Sequence, residues 1–318
     1  MRGVVAALRG LMADPLSAIT RRDVLLCLTS ATVAACARDA SPPAPTAAGS
    51  SSGVAATREL AAIEAAVGGR VGVFALDTGS GRSIAQRADE RFAMCSTFKW
   101  VVAAAVLERV DRGEDSLDGT VAFGKADLLE HAPVATEHVA EGALPVETLA
   151  RAALTVSDNT AANLLLARVG GPTGLTAFVR RTGDAVTRLD RPELILNSNE
   201  PGDPRDTTSP RAMVGLLKGV LCGQVLKPAS RDRLFDWMKA CETGKKRLRA
   251  GLPGDWVVGD RTGTGENNAV NDVAIAVPPG RAPILVAVFM SEGRDEEDGA
   301  IHEGGHARIA RLVAKEMG

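Results

Sequence analysis

The chain has 318 residues, enough for one large domain or two closely packed lobes, and its 45% hydrophobic content can fill an extensive core. A net charge of −2 argues against a general polyanion binder. Tyr is absent and aromatic residues total 3%, so no stacking platform for nucleic acid is expected.

Residues 1–36 read as an export signal. Thr20-Arg21-Arg22-Asp23-Val24-Leu25-Leu26 resembles a twin-arginine motif, and the apolar stretch after it, through Ala35, is too short for a permanent membrane span. Val33-Ala34-Ala35-Cys36 resembles a lipobox in which Cys36 would become a lipidated N-terminus; ordinary cleavage nearby is the alternative. Residues 37–55, rich in Ser, Pro, Ala and Gly, read as a flexible tether. A folded domain over residues 56–318 is expected to start with a helix over 58–67 that stops at Gly68-Gly69. Residues 71–77 and 82–85 form a candidate hairpin. A mainly helical region follows to about residue 238. Strand candidates at 256–259, 271–277 and 284–290 and a closing helix over 306–317 complete the pattern. Strands at both ends imply an α+β fold. Its antiparallel sheet comes from both chain ends (about 56–90 and 245–318) and is flanked by helices. An all-helical lobe (about 91–244) is inserted, and the active site lies between the lobes.

Three short patterns carry the chemistry. Ser96 and Lys99 in Cys95-Ser96-Thr97-Phe98-Lys99 sit about one helical turn apart at the head of an apolar run, Trp100 to Leu107. A serine hydroxyl needs a neighbour to take its proton, and a partly desolvated lysine can do so. Ser157-Asp158-Asn159 precedes a helical pattern, where all three residues also suit an N-cap. Asp260-Arg261-Thr262-Gly263-Thr264-Gly265 lies at the end of a strand, where a small-residue edge can accept a ligand's backbone-like groups, and a turn is the alternative there.

In this order and spacing the patterns resemble the serine penicillin-recognising enzymes, with Arg-Thr-Gly in place of Lys-Thr-Gly. Residues 188–197 resemble the omega loop of class A β-lactamases, and residues 170–176, 205–208 and 251–253 match further landmarks of that family. The resemblance implies hydrolysis of penicillin-like β-lactams through an acyl-enzyme on Ser96, and with it antibiotic resistance. Lys99, or Glu193 through water, would act as base, and Ser157 would relay a proton. Backbone N–H groups of Ser96 and Thr264 would form the oxyanion hole. Asn159 would bind the substrate amide, Arg261, Thr262, Gly263, Thr264 and Arg247 its carboxylate end, and Glu193 with Asn197 the hydrolytic water. Arg191 and Asp206 would close the neck of the omega loop, and a cis Glu193–Leu194 peptide would turn the glutamate inward. The resemblance also implies a monomer in the periplasm, tethered there if Cys36 is lipidated, with a β-lactam substrate and neither cofactor, metal nor nucleic acid. A D-alanyl-D-alanine peptidase shares the first three patterns, and Glu193 argues against it; a non-enzymatic β-lactam sensor domain normally belongs to a larger membrane protein, and no further transmembrane span is expected from this sequence.

The chain departs from the commonest family pattern at Arg261, at Val270 where many members carry Arg, and at Pro192 and Leu194; Arg247 offers an alternative guanidinium. His302-Glu303-Gly304-Gly305-His306 matches a zinc-protease string, but the paired glycines favour a turn entering the last helix. His131 and His138, isolated in the sequence, suit surface or pocket-rim positions. Cys95 resembles a residue bridged in some carbapenem-hydrolysing relatives, where Gly265 here leaves no partner. Cys222 and Cys241 could pair in an oxidising compartment.

Overall fold

A computed structural model describes residues 51–295 and 299–318; the export-signal segment and Cys36 lie outside the described residues. Helix α1 (Ser51–Val67) leads into β1 (Arg70–Asp77) and β2 (Ser83–Gln86). It starts seven residues before the expected helix, because the run from Val54 to Thr57 continues the helical pattern and Ala56 packs into the core. Next come β3 (Phe92–Ala93), a 3-10 turn at Cys95–Thr97 and α2 (Phe98–Asp111), followed by β4 (Thr120–Ala122), α3 (Pro133–Glu137), β5 (Ala143–Pro145), α4 (Val146–Thr155), α5 (Asn159–Arg168) and α6 (Gly171–Arg181). The chain returns through β6 (Thr207–Thr208), α7 (Pro210–Leu217), α8 (Pro228–Lys239), β7 (Val257–Gly265), β8 (Ala269–Val277), β9 (Ile284–Ser291) and α9 (Ala300–Met317).

The main sheet runs in the order β2-β1-β9-β8-β7, all antiparallel, so its members come from both chain ends as expected. Period-two alternation sends apolar side chains to both faces. Val71, Val73, Val286, Val288 and Met290 pack with Leu60 and Ile63 of α1 and Ile309 and Val313 of α9. Phe74, Leu285, Ala287 and Phe289 face the opposite way and join the core of the helical lobe. Helix α2 is buried at every position from Phe98 to Leu107. Apart from Lys99 this run is apolar all round, and the centre of that lobe is the environment such a sequence needs.

Two segments differ in extent or form from the expectation. First, the segment expected at the end of a strand does lie there, but β7 runs well past the 256–259 candidate, through Gly265, and the turn falls at 266–268, so the segment after Asp260 is the C-terminal half of an edge strand. Gly263 is there for close approach: a Cβ would lie 2.7 Å from the Met94 carbonyl oxygen and 3.1 Å from Ser96 N. Second, the zinc-protease string lies inside α9, with His306 Nδ1 2.8 Å from the His302 carbonyl. A Cβ at Gly305 would sit 2.9 Å from Met290 Cε and 3.4 Å from Val67 Cγ2, so contact with β9 and α1 outweighs the helix penalty of about 1 kcal/mol per glycine. Both imidazoles are buried, and burial with the nearby Arg247 charge holds His306 down at about 3. Among the described residues no cluster of three His, Cys, Asp or Glu side chains could hold a metal ion, and no helix is long and apolar enough to cross a membrane. Cys95, Cys222 and Cys241 are all free thiols.

Candidate functional site

The short β3–β6 ladder joins the chain just before Ser96 to the chain just after residues 188–206, with Phe92 opposite Thr208 and Ala93 opposite Thr207. Met94 N then donates to the Asp206 carbonyl at 2.9 Å. The nucleophile candidate and the loop carrying Glu193 are therefore fixed to each other through backbone. Cys95 and Ser157 both hold positive φ (46° and 63°), a conformation non-glycine residues rarely take and one that clusters at functional sites.

The structure brings Ser96, Lys99, Ser157 and Glu193 into one hydrogen-bonded group. Ser96 Oγ donates to Glu193 Oε1 at 3.0 Å, and Lys99 Nζ stands 3.0 Å from the same oxygen. Lys99 Nζ also donates to Ser157 O (3.0 Å), Ser157 Oγ (3.1 Å) and Asn159 Oδ1 (2.5 Å). Its ammonium is fully buried; desolvation pulls it down to about 8 against the opposing pull of Glu193, and Arg261 lowers it further. In the Ser-Asp-Asn segment the cap and the site divide the residues. Asp158 caps α5, its Oδ1 accepting from Ala161 N at 2.8 Å, and ties down α3 through Val134 N and Ala135 N. Ser157 and Asn159 are left to face Lys99.

Glu193 is itself fully positioned. Its N–H donates to Asn163 Oδ1 at 3.0 Å, and its carbonyl accepts from Asn163 Nδ2 at 2.9 Å. Asn197 Nδ2 donates to Glu193 Oε2 at 2.6 Å, and the Glu193–Leu194 peptide is cis. The loop neck closes through Asp206. Its Oδ2 takes Arg191 Nε at 2.5 Å, and its Oδ1 accepts Asp190 N (2.7 Å) and Arg191 N (2.9 Å).

On the other wall, buried Arg261 donates from Nη2 to Ser157 Oγ at 2.5 Å. Its Nη1 reaches Thr243 Oγ1 and Thr262 Oγ1, both at 3.3 Å. Arg247 lies under the strand, donating to the carbonyls of Gly263 (3.0 Å) and Asn271 (2.7 Å) and to Thr264 Oγ1 (2.8 Å). Thr264 pairs across the sheet with Val270, so the Arg247 guanidinium stands on the residue facing position 270. Burial lowers the basicity of both arginines. Buried Cys95 sits with its Sγ 2.6 Å from where a Gly265 Cβ would be, and burial pushes its thiol up. His131 stands at the rim, its carbonyl accepting from Asn159 N at 3.1 Å and its Nε2 2.9 Å from the Val156 carbonyl; His138 is at the surface.

Two residues escaped the motif reading. Asn163 is four positions after Asn159 inside an apolar helix, a spacing that puts both on one face. Thr243, which bonds Thr262 Oγ1 at 2.5 Å and lies 3.3 Å from Cys241 Sγ, carries no sequence signal of its own.

A serine, a buried lysine and a loop carboxylate sharing one oxygen, beside an edge strand lined by two arginines, define a serine acyl-transfer centre. The β-lactamase enzyme family profile matches residues 55–317, and the chain belongs to that family, in its class A branch. It is 46% identical over 259 residues to β-lactamase AST-1 of Nocardia asteroides, covering 81% of this chain and 83% of the relative. It is 51% identical over 239 residues to β-lactamase L2 of Stenotrophomonas maltophilia, covering 75% and 78%. The solved class A β-lactamase of the last common ancestor of Gram-negative bacteria superposes with a TM-score of 0.81 at 54% identity, over 83% of this chain and all of that one.

Proposed function

We propose that this class A β-lactamase hydrolyses penicillin-like β-lactams through an ester on Ser96. The observation that carries the reading is the oxygen Glu193 Oε1, 3.0 Å from both Ser96 Oγ and Lys99 Nζ. Ser96 Oγ attacks the lactam carbonyl and its proton passes to the Glu193–Lys99 pair. The N–H groups of Ser96 and Thr264 hold the developing oxyanion. The carbon–nitrogen bond then breaks, and Ser157, bonded to both Lys99 and Arg261, protonates the departing nitrogen. Arg261, Thr262 and Thr264 take the substrate carboxylate; Gly263 leaves the strand room to approach, and Arg247 orients the Thr264 hydroxyl and adds charge. Asn159 binds the side-chain amide. A water held by Glu193 and Asn197 Oδ1, a buried acceptor without a protein partner, then attacks the ester as Glu193 takes its proton. The product is the ring-opened acid, and the reaction confers antibiotic resistance.

The chain is proposed to work as a periplasmic monomer exported by residues 1–36; residues 51–55, expected to belong to the tether, are instead the start of α1. The motif at Val33–Cys36 supports lipid attachment at Cys36. Repeated turnover of nitrocefin by the wild type, lost in Ser96→Ala, is the expected result. A single stoichiometric burst would replace this reading with that of a peptidase or a sensor.

A further inference from the structure

The omega loop is held at a second place, remote from its neck, by the turn between β7 and β8. Glu266 N donates to the Asn197 carbonyl at 2.9 Å. Asn199 Nδ2 reaches back to the carbonyls of Glu266 (3.1 Å) and Asn267 (3.2 Å) and to Ser291 Oγ (3.0 Å). Asn267 Nδ2 answers with the carbonyls of Ser198 (3.2 Å) and Asn199 (3.1 Å). Both asparagines hold left-handed backbone (φ 44° and 48°), which places each amide over the other segment. Asn tolerates that conformation better than most residues. The fit beneath the clasp is tight: a Cβ on Gly265 would lie 2.7 Å from the Asn197 carbonyl oxygen. We propose that Asn199 and Asn267 form a reciprocal amide clasp that fixes Asn197 against the edge of β7 and so sets the rate of deacylation separately from that of acylation. They are positioning residues, acting through Asn197, and the inference rests on the reading of Glu193 and Asn197 as the holders of the hydrolytic water.

The separation follows from which bonds the clasp supports. Ser96 and Lys99 each bond Glu193 Oε1, Lys99 bonds Ser157, and Glu193 keeps its two backbone bonds to Asn163 whether or not the clasp is closed. Among the described residues Asn197 has no such second anchor from the helical lobe. Its carbonyl is held by Glu266 N, and its side chain bonds within the loop, to Glu193 Oε2 and the Leu194 carbonyl. Opening the clasp therefore moves the water's frame and leaves the nucleophile's.

The test uses Asn199→Gly and Asn267→Gly, which remove the amide while allowing the same φ, with Asn268→Gly as the control. Asn268 occupies the same turn at positive φ, but its amide bonds to Gly293 O and Asp295 Oδ1 and leaves the loop alone. Steady-state kinetics on a good penicillin and the lifetime of the acyl-enzyme by intact mass are measured for the wild type, the three single variants and the Asn199→Gly/Asn267→Gly double variant. The expected result for each clasp variant is a fall in kcat and KM together by about tenfold, kcat/KM unchanged, and a longer-lived adduct on Ser96, since sub-ångström misplacement of a reacting group is enough for such a loss. The control keeps wild-type values, and the double variant falls no further than either single one. If both clasp variants keep wild-type kcat, or if kcat/KM falls with kcat, or if the control shows the same loss, the clasp is wrong while the acyl-enzyme reading stands. A wild type that does not turn over overturns both.

Discussion

Replacing Asp206 exposes how the omega loop is held at its neck. The carboxylate is fully buried and takes three donors, the backbone N–H groups of Asp190 and Arg191 and the Arg191 guanidinium. Asp206→Ala leaves all three without their partner. Breaking a fully buried pair costs about 3–5 kcal/mol, but the Arg191 side chain is 16% exposed and can turn to water or to Asp203, so about 2–4 kcal/mol is expected here. Asp206→Asn keeps an acceptor for the two backbone groups and loses the charge, and should cost about 1–2 kcal/mol. Much of this loss is local, because the loop can open while the sheet and α2 stay folded. Urea unfolding reads the global part, and proteolysis within residues 188–206 reads the loop. Penicillin turnover should show deacylation slowed more than acylation, in the order Asn then Ala. An Asp206→Ala protein with wild-type loop protection and wild-type kcat would refute the latch.

Arg247→Ala should lower kcat/KM on penicillins by about 2–4 kcal/mol in transition-state binding, through a Thr264 hydroxyl left without its donor, and Val270→Arg in that background should recover part of it. Unchanged kcat/KM would remove Arg247 from the site. Lys99 gives a pH test. Its folded value of about 8 lies below the ordinary 10.5, so between these pH values the unfolded chain binds a proton that the folded one lacks. The burial penalty is fully present below pH 8 and is relieved as pH rises to 10.5, a gain of about 3 kcal/mol relative to Lys99→Met in denaturant unfolding. A flat difference between the two proteins across that window would show that Lys99 is not desolvated.

The chemistry of the site was legible because it is written in short local strings whose residue types do one job. Ser96, Lys99, Ser157, Asn159, Glu193, Asn197 and Arg261 each belong to such a string, and the fold joins them in one hydrogen-bonded site. What eluded sequence reasoning depends on contacts between distant segments. The Gly-rich end of β7 was legible as a strand end, but not why it needs its glycines: Gly263 answers to the backbone of residues 94–97 and Gly265 to the Cys95 thiol and the Asn197 carbonyl. Gly304-Gly305 likewise reads as a helix break, and only the neighbouring Met290 and Val67 side chains explain why α9 keeps them. Asn163 looks like an ordinary polar interruption of a helix until Glu193, thirty residues on, is seen to bond both ends of its amide. The reciprocal asparagines at 199 and 267 are invisible for the same reason.

The central claim is that Glu193 releases an acyl group from Ser96, and intact mass of Glu193→Ala after brief penicillin exposure tests it most directly. The carboxylate bonded to Ser96 Oγ and Asn197 Nδ2 is then gone, while Lys99 and Ser157 keep their contact. The expected spectrum shows one substrate mass added, mapping to the peptide that contains Ser96 and persisting for many wild-type turnovers. An adduct that clears at the wild-type rate, or that maps to another residue, would contradict the account.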